Sequence, residues 1–449
     1  MSDTAPGATW SVDDHLADVL RSIRPLDPIE LNLLDAQGCV LLDDVVVPAS
    51  LPPFDNSSMD GYAVRAVDVE GSTQQYPAVL TVLGDIAAGS GTPDPVGPGQ
   101  AARIMTGAPL PPGAEAVVPV EWTDGGTGGG PADSMSAHST DPAGSGGEVR
   151  IHRPVTPGQY VRPRGSDVRA GTVALKAGTR LGPPQIGLLA AIGRGTVTVR
   201  PRPRVVVLST GSELVQPGQE LGPGQIHDSN SYVLAAAARA AGAEVYRVGA
   251  VADDADSLRA AVEDQLVRAD IVVTSGGVSV GAYDVVKEAL GAPAGPPGPG
   301  GASGGPDGSV VFRRLAMQPG KPQGFGLIGT GRTPLLALPG NPVSSYVSFE
   351  LFVRPVVRRM RGLEPVSRVP VPARLEGEDP LRSPAGKRQF LRGAYEPPAP
   401  GEETGTVRAV GGAGSHLVAA LARADALIVV PEVTEQVAPG ERVDVLRLD

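Results

Sequence analysis

Residues 204–213 read RVVVLSTGSE, an apolar run that leads straight into a glycine-containing turn. Helix patterns follow over 229–243 and 256–269, and the next apolar run occupies 270–275. Short apolar strands that alternate with helices of this length predict a parallel, doubly wound sheet. We assign this α/β domain to residues 202–364.

The regions on either side of the α/β domain show a different pattern. Residues 1–201 contain many short apolar runs separated by turn residues, which predicts small sheets in two subdomains rather than a wound core. Residues 365–449 alternate in the same way and predict a small β domain that resembles a barrel. The chain is therefore predicted to be an α/β multidomain protein with a β-rich N-terminal region, a doubly wound central domain and a C-terminal barrel.

Two helices and two inserts complete the predicted organisation. Residues 11–24 show an amphipathic pattern that begins at Ser11, which we expect to cap the helix. A long helix is expected over 341–360, where an Asn-Pro pair suits the N-cap and first helical positions. The inserts 124–147 and 292–309 are rich in Gly, Ser and Pro, and we expect solvated loops because they cannot bury enough apolar surface.

Composition narrows the classes of function. The 449 residues include 60 glycines and 46 prolines, yet 41% are hydrophobic, which excludes a chain disordered throughout. The net charge of −11 argues against general binding to nucleic acid or to anionic membranes. The single Cys39 excludes an internal disulfide and a cysteine-rich zinc site. No apolar run approaches the roughly 18 residues of a membrane span and no secretory signal is visible, so we expect a cytoplasmic protein.

Three predicted strand-end loops have the composition of a phosphate site: 209–213, 275–281 and 338–342. Ligands of open α/β sheets bind beyond the carboxyl ends of the strands, where backbone N–H groups can hold phosphate. Glu213 in the first loop and Asp284 just after the second would be hard oxygen ligands for Mg²⁺. One such loop alone is ordinary turn chemistry, but three in one domain favour a phosphate site.

Several other charged residues have two readings. Lys321 lies in QPGKP between two predicted strands, where a restricted backbone suits an oxyanion contact, and a solvated turn lysine is the alternative. Arg162 and Arg164 could bind an anion between them or form a solvated rim.

The histidines carry less information. We expect His15, His138 and His152 at the surface, and His227 and His416 as packing or capping residues in loops. No spacing supports a Ser-His-Asp triad, and neither HExxH nor CxxC occurs. A hydrolytic triad and these metal motifs are therefore excluded as the basis of function.

Eight segments together resemble one family, the molybdopterin molybdenumtransferases of the MoeA/gephyrin group, which act in molybdenum cofactor biosynthesis. The segments run in family order: PPFDNSSMDGYAV (52–64), RIMTGAPLPPGAEAVV (103–118), RPRGSDV (162–168), STGSEL (209–214), GQIHDSNSYVL (224–234), TSGGVSVGAYD (274–284), PGKPQGFG (319–326) and LPGNPVSSYVSFELFVRPV (338–356). The resemblance covers about residues 12 to 449 apart from the inserts. It implies a molybdenum insertase that uses molybdate and adenylylated molybdopterin as substrates and releases AMP with Mg²⁺.

The resemblance also implies roles for individual residues. Glu213 and Asp284 look like the Mg²⁺-associated acids of the family. The matching catalytic positions are Asp60, Thr106, Arg162, Asp167, Asp253 and Lys321. The matching substrate-binding positions are Thr210, Gly211, Ser212, Ser229, Asn230, Gly276, Gly277, Ser279, Pro339, Asn341, Ser344, Arg388 and Ser415. Among these, Lys321, Ser344, Arg388 and Ser415 are expected to form the pocket that receives molybdate. Gln318 stands where many relatives have Lys, so we assign it no catalytic role.

The implied assembly is a homodimer whose active cleft combines the α/β domain with the N-terminal region of the partner subunit. Contacts with molybdopterin adenylyltransferase and with molybdoenzymes are implied as well. Two alternatives stay open. The α/β domain resembles the enzyme that adenylylates molybdopterin, although that enzyme would not need the flanking β domains. A non-enzymatic scaffold like gephyrin is the second alternative, although that role would need a further oligomerising domain.

Overall fold

The computed structural model describes residues 9–89, 91–128, 131–135, 147–252, 254–278, 285–291 and 308–448. Its described residues fall into two compact units. Unit 1 comprises those of Met1–Glu30, Gly38–Leu42 and Thr198–Asp449, and unit 2 those of Leu31–Gln37 and Asp43–Val197. Among the described residues, no helix combines the length and apolar character needed to cross a membrane.

The N-terminal two hundred residues are mostly short strands, as expected. They contain helices α1 (Val12–Arg21) and α2 (Pro183–Ala191) and strands β1 (Ile29–Asn32), β2 (Val40–Leu41), β3 (Val45–Val46), β4 (Asn56–Ser57), β5 (Gly61–Val64), β6 (Ala78–Ile86), β7 (Gln100–Ile104), β8 (Ala116–Pro119), β9 (Glu148–Ile151), β10 (Val161–Arg162), β11 (Val173–Leu175) and β12 (Thr196–Arg200). In unit 2 five of them form one sheet in the order β8-β5-β7-β6-β9. Two-residue pairs, β4 with β10 and β3 with β11, extend the β structure of this unit.

The start of the 124–147 insert differs from the prediction of a solvated loop. Asp124 is buried, and its carboxylate accepts hydrogen bonds from the backbone N–H groups of Gly126, Gly128 and Arg150 at 2.9–3.0 Å. Glycine composition did not reveal this because one aspartate satisfies three backbone donors of its own turn and of the neighbouring strand. Most of the remaining insert, and most of 292–309, lie outside the described residues.

The central part of the chain supplies a six-stranded sheet in unit 1. Residues 204–360 contain helices α3 (Asn230–Ala240), α4 (Ala255–Gln265), α5 (Val285–Leu290), α6 (Pro342–Ser348) and α7 (Arg354–Met360) and strands β13 (Arg204–Thr210), β14 (Leu214–Val215), β15 (Ile226–His227), β16 (Glu244–Val251), β17 (Ile271–Ser275), β18 (Val310–Arg314), β19 (Met317–Gln318), β20 (Pro322–Ile328) and β21 (Thr333–Leu338). The order is β16-β13-β17-β21-β20-β18. The first four strands are parallel. At one edge β20 pairs antiparallel with β21, and β18 pairs antiparallel with β20.

Helices cover both faces of this sheet, which confirms the doubly wound prediction. Val205 and Val207 of β13 belong to the apolar cluster that includes residues of α3, α6 and α7. Val206 and Leu208 of the same strand belong to the cluster that includes residues of α4 and α5. The alternation follows from the two-residue period of a strand, and it explains why the run is apolar throughout. The antiparallel edge was not expected: no strand was predicted over residues 322–328, which form β20.

The predicted long helix is confirmed as α6 and α7 joined by a π-helical turn at Phe349–Val353. Asn341 is its N-cap and Pro342 its first residue. Strands β13, β17 and β21 are neighbours, and all three end at the same edge of the sheet. The start of α6 follows β21 at that edge.

The C-terminal β domain is a closed barrel, as predicted. Residues 371–447 contain strands β22 (Val371–Glu376), β23 (Leu381–Arg382), β24 (Arg388–Glu396), β25 (Gly405–Ala409), β26 (Ala426–Val430), β27 (Gln436–Val437) and β28 (Arg442–Arg447) and helix α8 (Val418–Leu421). The order β24-β25-β22-β28-β26 closes because β26 also pairs with β24. Parallel pairing of β19 with β24 joins the barrel to the segment that connects β18 and β20 of the central sheet.

Helix α1 packs into unit 1 although we placed it in the N-terminal region. Ser11 caps it as expected, with its Oγ accepting from the Asp14 N–H at 3.0 Å. His15, expected at the surface, is buried, and its ring meets the Phe352 ring edge-on at 4.9 Å between centroids. The Arg313 guanidinium donates to Asp18 on the same helix face at 2.5 Å. The helix can bury Asp18 because Arg313 of β18 supplies the opposite charge, and it can bury His15 because the imidazole stays neutral.

Burial of His15 predicts a pH-dependent loss of stability. Burial, and next the nearby Arg313 charge, lowers the pKa of His15 from its ordinary value of 6.5 to about 3. The unfolded chain takes up a proton as pH falls below about 6.5 while the folded chain keeps the imidazole neutral, so this contribution to stability is present above about pH 6.5 and is lost as pH falls toward 3. Between about pH 6.5 and pH 4.5 the free energy of unfolding, measured by urea titration, should fall in both chains. We expect the fall to be about 2 kcal/mol smaller in His15→Gln than in the parent chain.

The exposed His227 supplies the matched control for this prediction. The variant His227→Gln should follow the pH dependence of the parent chain. Equal slopes for His15→Gln and the parent would contradict the assignment of His15 as a buried neutral group.

Candidate active site

A cavity of about 1020 Å³ opens in unit 1 at the edge where β13, β17 and β21 end. Most of the residues predicted for the α/β domain and the barrel line it together: Thr210, Gly211, Glu213, Ser229, Asn230, Gly276, Gly277, Lys321, Pro339, Asn341, Ser344 and Ser415. The strand-end position agrees with the ligand site expected for an open α/β sheet.

Close backbone packing brings the three strand-end loops together. Gly276 has φ +103°, and a Cβ built on it would lie 2.6 Å from the carbonyl oxygen of Thr210. Only 3.4 Å would separate a Cβ on Gly340 from the Gly276 Cα. Only glycine fits at position 276, since any side chain would meet backbone there and strain φ.

Asn230 fastens two of these loops from the start of α3. Its Nδ2 donates to Ser275 Oγ at 2.8 Å and to the Gly340 carbonyl at 2.6 Å. Its Oδ1 is buried and accepts no hydrogen bond within the described parts of the chain. The amide therefore holds the ends of β17 and β21 together, and its Oδ1 is an unused hydrogen-bond acceptor beside the cavity.

Asp228 supports the same corner and was not among the predicted residues. The side chain is buried, and its Oδ1 accepts from Ser209 Oγ and from the Ser231 N–H, each at 3.0 Å. The carboxylate thus ties the end of β13 to the first turn of α3. Its position just before a helix was the available sequence signal, because aspartate is a preferred capping residue.

Two cationic residues, Lys321 and Lys387, also line the cavity. Lys321 follows β19, and its carbonyl accepts from the Leu315 N–H at 2.7 Å. Gln323 Nε2 donates to the Gly320 carbonyl at 2.7 Å and to Ser348 Oγ at 2.6 Å, which fixes the turn before Lys321. Lys387, just before β24, also lines the cavity.

Arg388 does not belong to the cavity wall, which corrects the expectation that it forms part of the oxyanion pocket. Its guanidinium binds the Asp13 carboxylate through two hydrogen bonds of 2.8 and 2.7 Å, and Glu432 lies 3.1 Å away. The hydrogen bond to Asp13 raises the pKa of Arg388 and lowers that of Asp13. The neighbouring Lys387 takes the cavity position, because successive residues at a strand end face opposite sides.

Four predicted residues belong to unit 2. Asp60 and Thr106 are in direct contact: Asp60 Oδ1 accepts from the Thr106 backbone N–H at 2.7 Å and from its Oγ1 at 2.8 Å. Arg162 lies on β10, where it pairs with Asn56 of β4, and its side chain is exposed. Asp167 is exposed in the following turn, and its backbone N–H donates a hydrogen bond to the Leu51 carbonyl.

The sequence matches known families along nearly its whole length. Residues 10–193 match the MoeA N-terminal region (domain I and II), 206–359 a probable molybdopterin binding domain, and 374–448 the MoeA C-terminal region (domain IV). The chain belongs to the MoeA family. Its strand-end cavity therefore lies in the part of the family fold that is described as a probable molybdopterin binding domain, together with a wall from the C-terminal region.

Curated relatives and solved structures agree with this membership. The chain is 45% identical to molybdopterin molybdenumtransferase 2 of Mycobacterium tuberculosis, over 97% of this chain and 98% of the relative. It is 41% identical to molybdopterin molybdenumtransferase 1 of the same organism, over the same shares. The crystal structure of a molybdopterin biosynthesis MoeA protein from Pyrococcus horikoshii superposes with a TM-score of 0.70 at 32% identity, covering 98% of this chain and 100% of that one.

Asp253, Ser279 and Asp284 lie outside the described residues. Ser212 is exposed and does not line the cavity. Within the described parts of the chain, no group of three or more His, Cys, Asp or Glu side chains is arranged to hold a metal ion.

The glycine packing around residue 276 predicts a localised sensitivity to substitution. Gly276→Ala combines a positive φ with a contact to the Thr210 carbonyl, and we expect it to lower the free energy of unfolding by at least about 2 kcal/mol in urea titrations. Gly218→Ala is the matched control, since Gly218 has φ +93° but open space around its Cα. It should cost about 1 kcal/mol through strain alone. Equal losses for the two variants would contradict the packing argument.

Proposed function

We propose that the chain is a molybdenum insertase, which transfers molybdenum from molybdate to adenylylated molybdopterin and releases AMP. The observation that carries the proposal is the gathering of Lys321, Lys387 and three glycine loops around one cavity at the strand ends. Support also comes from the names of the relatives, which are molybdopterin molybdenumtransferases at 45% and 41% identity.

The cavity chemistry suits a substrate with phosphate groups and a second, tetrahedral oxyanion. Glycine loops expose backbone N–H groups to phosphate, and Ser229 adds a hydroxyl donor at the same edge, where Thr210 also lines the cavity. Lys321 and Lys387 supply positive charge, which a chain of net charge −11 can offer only locally. Ser344 and Ser415 line the same cavity and provide hydroxyl groups for the molybdate oxygens.

One carboxylate in the cavity fits a magnesium ion. Glu213 is exposed and lines the cavity. A Cβ on Gly211 would lie 2.6 Å from Glu213 Oε2, so the carboxylate can take this position only because residue 211 has no side chain. Mg²⁺ is typically held by one or two carboxylates together with substrate phosphates, and Asp284 is the second acid proposed from the family pattern. When bound, the ion would supply positive charge to the phosphate oxygens.

The residues then act by position and charge. In the reaction an oxygen of molybdate or of water would attack one phosphorus of the phosphoanhydride and form a new P–O bond. The bond to the other phosphate would break, AMP would leave, and negative charge would grow on the two separating phosphates. Lys321 and Lys387 stabilise that charge, and the loop N–H groups hold the phosphates while molybdate is bound beside them. No covalent intermediate with a protein side chain is required, because the leaving group is a phosphate with low basicity.

The finer features of the family pattern complete the proposal. We place the chain in a homodimer, in which Asp60, Thr106, Arg162 and Asp167 of one subunit serve the cavity of the other. Asp253 is proposed as a further acidic residue of the site. Contacts with molybdopterin adenylyltransferase and with molybdoenzymes, and a cytoplasmic location, stay predictions of the same kind.

Release of AMP tests the proposed function directly. Purified protein incubated with adenylylated molybdopterin, Mg²⁺ and molybdate should release AMP, and omission of molybdate should reduce that release strongly. Accumulation of adenylylated pterin from molybdopterin and Mg-ATP would instead favour an adenylyltransferase. Protein that neither binds the pterin nor releases AMP but captures peptide partners would favour a scaffold.

Glu213 provides a separate test of the magnesium assignment. Glu213→Gln removes a charged oxygen ligand, so the Mg²⁺ concentration that gives half-maximal AMP release should rise about tenfold. Glu220→Gln is the matched control, because Glu220 is exposed in the loop between β14 and β15 and does not line the cavity. An unchanged Mg²⁺ dependence in Glu213→Gln would remove this residue from the proposed metal site.

A further inference from the structure

The loop between β25 and α8 forms part of the cavity wall but has little intrinsic order. Residues 410–416 read VGGAGSH, with three glycines in seven positions. Ala413, Ser415 and His416 of this loop line the cavity. Glycine loses more conformational entropy on ordering than any other residue, so such a loop needs an external support to present its residues reproducibly.

A single buried arginine provides that support. Arg392 of β24 is only 3% exposed. Its Nε donates to the Val410 carbonyl at 3.3 Å, its Nη1 to the Gly414 carbonyl at 3.0 Å, and its Nη2 to the Gly412 carbonyl. Three alternate carbonyls of the loop therefore converge on one guanidinium. Across the described ranges, no carboxylate forms an ion pair with Arg392. Hydrogen bonds to the loop carbonyls are therefore the main interactions that offset the burial of its charge.

The direction of those carbonyls determines the direction of the N–H groups. In a trans peptide the C=O and the following N–H point to opposite sides. Turning the carbonyls of 410, 412 and 414 toward Arg392 thus turns the N–H groups of Gly411, Ala413 and Ser415 away from it. None of these three N–H groups donates to an acceptor in the described part of the chain.

The same loop is connected to the start of α6. The Ser415 carbonyl accepts a hydrogen bond from the Val343 N–H at 3.0 Å, in the first turn of the helix that follows the third strand-end loop. The loop is consequently fixed at two places, by Arg392 on the barrel side and by α6 on the α/β side. A shift at Arg392 would move Ser415 relative to Ser344 in the cavity.

We propose that Arg392 is a positioning residue for oxyanion binding, which holds loop 410–416 so that its N–H groups and Ser415 are presented to the substrate anion. This inference deepens the proposed function and rests on it. Arg392 does not touch the anion itself, since its donors are used by the loop carbonyls. It acts by orienting peptide groups, in the way that aligned N–H groups form an anion-binding concavity.

The arrangement requires a guanidinium in particular. Arginine presents donors in a rigid planar fork that reaches several acceptors at once, whereas a lysine ammonium is a compact charge on a flexible stem. Arg392→Lys is therefore expected to keep one or two of the three carbonyls and to restore part of the function. Arg392→Met keeps much of the apolar length but none of the donors.

Molybdate alone is the probe for the test, measured by equilibrium dialysis with the full chain. Arg392→Met should weaken molybdate binding about tenfold or more, and Arg392→Lys should lie between it and the parent chain. The matched control is Arg361→Met, since Arg361 is another buried arginine that donates to backbone carbonyls, those of Ala241 and Gly38, and does not line the cavity. That variant should lose thermal stability while its folded fraction binds molybdate as the parent does.

The half-saturating concentration of adenylylated molybdopterin separates a positioning role from a structural one. In Arg392→Met it should change much less than the half-saturating molybdate concentration does. Equal losses for both ligands, or molybdate binding at the parent's level in Arg392→Met, would overturn the inference. A parent chain that binds molybdate but releases no AMP would overturn the proposed function and leave the Arg392 comparison valid.

Discussion

The cavity depends on how closely three peptide segments approach one another at the end of the central sheet. Gly276 lies against the Thr210 carbonyl, at a distance that admits no Cβ at position 276, and it also lies close to Gly340. This contact sets the separation of the loops, and Asn230 then ties the ends of β17 and β21 with its two amide hydrogen bonds. Sheet twist and helix packing bring the strand ends together, but glycine lets their backbones form one continuous surface.

Charge is organised around that surface in two ways. Lys321 and Lys387 are placed in the cavity, where their charge can meet a bound anion. Arg388 and Arg392 do not line it and have structural contacts instead. Arg388 forms ion pairs with Asp13 and Glu432, and Arg392 donates hydrogen bonds to loop carbonyls. A chain with net charge −11 thus offers a local cationic site, because side chains on adjacent strand positions are directed to different tasks.

Buried polar groups elsewhere in unit 1 follow the same principle of local compensation. Asp18 is paired with Arg313, and His15 stays neutral beside them because burial lowers its pKa to about 3. Asp228 has its oxygens satisfied by Ser209 and Ser231. Each group would destabilise the fold if left alone, and each instead joins segments that are distant in sequence or fastens a helix end.

The sequence by itself determined the element types, the doubly wound centre and the barrel-like C-terminal domain, because apolar periodicity and turn chemistry are local properties. Most of the individual cavity residues were instead named from the resemblance of their motifs to the family. Ser11 and Asn341 marked helix starts, and the loops after β13, β17 and β21 were found from their glycines and hydroxyl residues. Only the tertiary structure decided that Lys387 rather than Arg388 enters the cavity, that His15 and Asp124 are buried, that residues 322–328 form an antiparallel strand, and that Arg392 supports loop 410–416. These outcomes depend on which partner meets a side chain across the fold, and a partner that is far away in sequence leaves no local pattern.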